Sequence, residues 1–121
     1  MSFAWNEYLS LAQELSARSE EACLRSAVSR AYYAAFHTAR DYILRRHPAE
    51  HLPGGPDDHG KVWRVLETSG RLGARMGRLG KDLRRWRNQA DYDMEVAGLP
   101  RLTARAVADA AELVRWLGQS G

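Results

Sequence analysis

Apolar residues recur along this chain at intervals of three and four, and no stretch alternates polar with apolar as a half-buried strand would. Trp5, Tyr8, Leu9, Ala12 and Leu15 predict a first amphipathic helix over about 2–18. Ser19 is placed to cap a second and longer helix over about 20–46. Leu24, Ala27, Val28, Ala31, Ala35, Ala39, Tyr42 and Ile43 form its apolar stripe, whose alanines let a neighbouring backbone come close. The segment 47–58, HPAEHLPGGPDD, carries three of the four prolines and two glycines and reads as the one long loop.

Beyond the loop, Asp57 or Asp58 is placed to cap a short third helix with Val62, Val65 and Leu66 inward, ending near Ser69-Gly70. A fourth helix carries Leu72, Met76, Leu79, Leu83, Trp86 and Ala90. Gly73, Gly77 and Gly80 each cost such a helix about 1 kcal/mol relative to alanine. Its first turns are therefore expected to be irregular, with the firm part starting near Arg78. After Gly98-Leu99-Pro100, Thr103 is the expected cap of a fifth helix with Val107, Ala110, Ala111, Val114 and Leu117 inward and Gly118 closing it. The expectation is an all-α, up-and-down bundle of four main helices and a short one, forming a single domain over 1–121.

Length and composition narrow the class. A chain of 121 residues with 45% hydrophobic and 27% charged residues suits one folded domain, and no apolar run approaches a membrane span. A single cysteine, Cys23, excludes an internal disulfide framework. The opening Met1-Ser2-Phe3 lacks the pattern of a signal peptide, so a reducing, cytoplasmic setting is expected.

Charge changes the picture more than its total of +3 suggests. Between Gly60 and Asn88, nine cations (Lys61, Arg64, Arg71, Arg75, Arg78, Lys81, Arg84, Arg85 and Arg87) face only Glu67 and Asp82. That segment carries +7 inside an otherwise acidic chain, which points to a polyanionic partner such as RNA. A solvated, arginine-rich face is the plainer reading of the same run.

Two constellations stand out within this pattern. On the second helix, Ser26, Arg30, Tyr33, His37 and Asp41 share a stripe roughly 80° wide. They form either a polar site or a set of local pairs, with Asp41 bonded to His37 or Arg45 and the Tyr33 ring at the core edge. On the fourth, Arg84, Arg87, Asn88, Asp91 and Tyr92 lie within RRWRNQADYD. Arg87 and Asp91, four apart, make either a structural ion pair or an arginine held by a carboxylate and offered to a phosphate.

Other chemistries fit poorly. His37, His47, His51 and His59 lack metal-ligand spacing and Cys23 sits on an apolar face, so no metal or cofactor is expected. No phosphate loop or serine elbow is present. The third and fourth helices match a DNA-reading helix-turn-helix only loosely, because three glycines fall in the would-be recognition helix.

Two motifs together resemble the HEPN superfamily: Arg30, Tyr32, Tyr33, Phe36 and His37 in SRAYYAAFHTARDYIL, then Arg87, Ala90, Asp91 and Tyr92 in RNQADYD. The resemblance implies a helical bundle that homodimerises, with the later motif of each copy meeting in a cleft. It also implies metal-independent ribonuclease activity, as in toxins and defence effectors, or pairing with a small nucleotidyltransferase. The superfamily's R-x(4–6)-H is incomplete here, since no histidine follows Arg87 and Tyr92 stands where the nearest one would be. A tyrosine is a poor base near neutral pH, so His37 or His59 would supply the imidazole, with His37 favoured by its place on the Arg30 and Tyr33 stripe.

The resulting expectation is an RNA-targeting homodimer. Arg87, Asp91, Tyr92, His37 and Arg30 form its reactive set, and Arg75, Arg78, Lys81, Arg84 and Arg85 hold the phosphate backbone. The alternative is a non-catalytic nucleotide- or protein-binding partner of a nucleotidyltransferase, with Tyr92 as the residue that receives a nucleotidyl group; a purely structural dimer is the third reading.

Overall fold

The computed structural model of the chain describes residues 3–120 and is an all-helical bundle. Its helices are α1 (Asn6–Ser16), α2 (Glu21–Arg46), α3 (Asp58–Glu67), α4 (Gly70–Tyr92) and α5 (Leu99–Ser120). The central element is α2, which packs on all four others. Ala27, Ala31, Ala34, Ala35 and Ala39 are fully buried along it, and their small side chains let neighbouring helices close in around it.

Several boundaries differ from the sequence reading. Helix α1 begins at Asn6; Ser2, the expected start, lies outside the described residues. Ser19 is not the cap of α2, whose N-cap is Glu20 with no side-chain cap bond. Asp57 takes the N-cap position of α3, as expected, but its side chain makes no cap bond. Asp58 is instead buried, and its Oδ2 accepts hydrogen bonds from Arg40 Nε at 3.0 Å and Gly54 N at 2.9 Å. Arg40 also donates to the Leu52 carbonyl at 2.6 Å, so α2 holds the loop that precedes α3. Helix α5 starts four residues before Thr103, which is buried and donates to the Leu24 carbonyl at 3.4 Å. The helix also continues past Gly118 to Ser120.

The largest departure concerns α4, which is helical from Gly70 with no irregular first turns. Gly70, at φ +82°, turns the chain out of α3, and the two helices then run back along each other. Gly73, Gly77 and Gly80 form the contact row. A Cβ at Gly73 would lie 2.6 Å from the Leu66 carbonyl oxygen, one at Gly77 2.8 Å from that of Trp63, and one at Gly80 inside the Trp63 indole. The glycines that weaken the isolated helix are those that let it touch α3 backbone to backbone.

Candidate functional site

Helix geometry places Arg30, Tyr33 and His37 on one half-exposed stripe of α2, as their spacing requires. Packing of α4 against that stripe brings Arg87 onto Tyr33. Arg87 Nη2 donates to the Tyr33 hydroxyl, Nη1 donates to Asn88 Oδ1 at 2.6 Å, and Nε lies 3.2 Å from Asp91 Oδ2. Nε is buried and poorly aligned for a hydrogen bond, so its contact with Asp91 is an ion pair. Ser29 donates to the same carboxylate oxygen at 3.3 Å. A guanidinium has five N–H groups, so one on each Nη is left for a ligand after these contacts.

Tyr33 is the meeting point of both motifs. The guanidiniums of Arg87 and Arg30 lie 5.0 Å and 5.4 Å from its ring centre, and the His37 ring is 5.9 Å away. Arg30 also sits 4.6 Å above the ring of Tyr8 on α1, a cation–π contact that holds it at the edge of the site. Tyr92, the last residue of α4, is 75% exposed, with its ring 5.8 Å from the Arg87 guanidinium. Arg25 fastens that end of the helix, with Nη1 donating to the carbonyls of Ala90 at 3.0 Å and Asp93 at 2.5 Å and Nη2 to that of Met94 at 2.9 Å.

Two imidazoles flank Tyr33 and differ in state. His37 stacks on Trp5 at 3.7 Å; burial depresses its pKa, with Asp41 opposing and Arg40 and Arg30 adding to the shift. His59, from α3, stacks on Phe36 at 4.0 Å, and its Nδ1 is 2.6 Å from the Tyr32 hydroxyl. Trp63 Nε1, which can only donate, gives its proton to the same hydroxyl at 3.3 Å. The Tyr32 hydroxyl thus ties Trp63 of the core to Nδ1 of His59. Burial pushes Tyr32 up to about 12, which keeps its hydroxyl protonated. Burial, then the charges of Arg84, Arg87 and His37, take His59 down to about 4 against the pull of Asp58. The Nδ1 of His59 is therefore committed to Tyr32, whereas His37 is the neutral imidazole without a hydrogen-bond partner among the described residues.

A cavity of about 370 Å³ opens beside both, lined by Trp5, Tyr33, Phe36, His37, Arg40 and Asp58 among others. The five basic residues expected to form one phosphate-holding face are divided between two. Arg84 lines a hollow of about 330 Å³ with Lys61 and Arg64 of α3. Arg75, Arg78, Lys81 and Arg85 line a groove of about 520 Å³ with Arg105 of α5. Most of the groove's cations are already paired: Arg75 with Glu112, Lys81 with Glu67, Arg85 with Asp82 at 3.1 Å and Arg105 with Asp109 at 3.3 Å.

The sequence reading overlooked Ser29 and Trp5 as parts of the site, along with Arg25 behind it; Asn88, singled out beside Arg87, is indeed in contact with it. Ser29 sits four residues before Tyr33, just outside the polar stripe, and that spacing is the only signal the chain offers for it. Among the described residues no group of three or more potential ligands is placed to hold a metal ion, and no helix is long and apolar enough to cross a membrane. Comparison with family models, with curated proteins and with solved structures finds no match.

Proposed function

We propose that this chain is a HEPN-type, RNA-targeting protein, a metal-independent endoribonuclease that acts as a homodimer in the cytoplasm as a toxin or defence effector. The observation that supports this reading is the convergence on Tyr33 of Arg30 and His37 from α2 with Arg87 from α4, leaving Arg87 with two unused N–H groups.

In this reading the Arg87 fork binds the scissile phosphate, oriented by Asp91 and Tyr33. His37 takes the proton of the ribose 2′-hydroxyl, whose oxygen attacks phosphorus. Arg87, with Arg30 nearby, stabilises the charge that builds on the phosphorane oxygens. The 5′-oxygen leaves with the proton returned by His37, and a 2′,3′-cyclic phosphate results. The homodimer rests on the apolar surface at the same end of α4, where Tyr92 is 75% and Met94 93% exposed.

The second reading, a non-catalytic partner of a nucleotidyltransferase, is favoured by the exposed Tyr92 phenol at the helix end, which is open to modification. Incubation with total RNA in chelator, beside Arg87→Ala and His37→Ala, separates the two. Cleavage that both variants lose supports the nuclease. Intact RNA, with the protein binding it in a salt-dependent way, supports the partner.

A further inference from the structure

We infer that the hollow between α3 and the C-terminal half of α4, lined by Lys61, Arg64 and Arg84, binds the phosphate of a single-stranded RNA next to the one held at Arg87. This rests on the nuclease reading and replaces the outer face of α4 as the path of the strand.

The first support is which cations are free to meet a phosphate. In the outer groove, Arg75, Lys81, Arg85 and Arg105 each have a carboxylate partner and Arg78 alone has none among the described residues, so a phosphate held there by more than one cation displaces an existing ion pair and gains little. In the hollow, Arg64 and Arg84 have no ion pair among the described residues. Lys61 donates only to the His51 carbonyl at 3.2 Å, which leaves its charge uncompensated. One acidic residue, Asp57, lines the hollow, and Glu50 lies on an adjoining depression beside Lys61 and Arg64. The balance stays positive.

The second support is continuity with the reactive centre. Arg84 precedes Arg87 by one turn of α4, so both guanidiniums leave the same face. Arg84 crosses α3 at Gly60, where a Cβ would stand 3.8 Å from its Nη1. Its charge is also the largest charge effect on His59, which places it between the hollow and the Tyr33 cluster. Arg87, Arg84, then Arg64 and Lys61 one turn apart on α3 form an unbroken cationic path.

The test uses a fluorescent 2′-O-methyl oligoribonucleotide, which can be bound but not cut, and two variants that remove the same charge. Anisotropy titrations over a salt series compare the wild type with Lys61→Gln/Arg64→Gln and with Arg75→Gln/Arg85→Gln, while cleavage of ordinary RNA is followed alongside. The inference expects the first pair to weaken binding about tenfold or more and to lower the salt slope by about 0.7, the value for the one phosphate left without its cations. The second pair is expected to bind within about twofold of wild type. Weakened affinity in the second pair, or wild-type affinity in the first, overturns the inference while wild-type cleavage leaves the nuclease reading standing. A wild type that neither cuts nor binds overturns both.

Discussion

The indole of Trp63 occupies the space over Gly80 in which any other residue would carry its Cβ. Trp63 is fully buried there, and its Nε1 donates to Tyr32, whose hydroxyl contacts His59. The close approach of α4 to α3 thus sets the position of a tryptophan, and through it the hydrogen-bonded position of a histidine at the edge of the site. Gly73 and Gly77 continue the same row toward the turn at Gly70, and Arg84 follows Gly80 one turn later, where the row reaches the surface.

Gly80→Ala separates helix propensity from packing. Propensity alone favours alanine by about 1 kcal/mol. Against it stands a methyl group forced into a buried ring, and overpacking of this kind costs about 1–3 kcal/mol. The expected outcome is net destabilisation, read as a lower urea midpoint at unchanged slope. Gly118→Ala, which meets nothing within 4 Å, is expected to leave the midpoint unchanged or raise it.

These glycines also show where the sequence is readable. The periodicity of apolar residues predicts five helices in order, the long loop and a central alanine-rich helix, because those signals are local. The stripe of Arg30, Tyr33 and His37 and the pair Arg87 and Asp91 are readable for the same reason. What a residue meets on another helix is not local. Gly80 reads as a weakness until Trp63 is placed over it, and Thr103 as a cap until its hydroxyl meets Leu24. Arg75 reads as a free cation until Glu112, on α5, is brought to it. Register between helices decides all three, and neither spacing nor composition encodes it.

Stability is expected to fall as the pH drops from 7 to 5, because His59 is held neutral in the fold. Its folded-state pKa of about 4 lies below the ordinary 6.5, so the unfolded chain binds the proton first. Unfolding therefore takes up protons in this window, and stability rises with pH. The loss on going from pH 7 to 5 is about 1–2 kcal/mol after allowance for solvent screening. His37, also depressed, acts in the same direction. Urea midpoints at the two pH values measure the loss. In His59→Asn, whose Oδ1 can accept from Tyr32 in place of Nδ1, most of the pH dependence should disappear.

Arg25→Ala should loosen the end of α4. Its guanidinium closes three carbonyls beyond reach of further helical N–H groups, and Glu21 holds it from behind at 2.9 Å. Loss of charged hydrogen bonds at a partly buried helix end costs about 2 kcal/mol. Amide exchange should accelerate over 91–95 and stay slow at Leu83. Arg25→Lys is expected to recover only part of the loss, because an ammonium lacks the planar fork that reaches three acceptors.

Tyr33→Phe tests whether the hydroxyl at the centre of the site positions Arg87 or merely packs beside it. The phenyl ring remains, so the cation–π contacts of Arg30 and Arg87 and the approach of His37 are kept. Only the acceptor for Arg87 Nη2 is removed. Asp91 and Asn88 still hold the guanidinium from its other side, so it stays in the site with greater angular freedom. A fork that still binds phosphate but is aimed less well loses transition-state stabilisation more than ground-state binding. On the nuclease reading kcat should therefore fall about tenfold, equivalent to about 1.4 kcal/mol, while KM changes little. Arg87→Ala should reduce kcat by about a hundredfold or more. A Tyr33→Phe variant with unchanged kcat would show that Asp91 and Asn88 suffice to aim the arginine, and that Tyr33 serves the site through its ring alone.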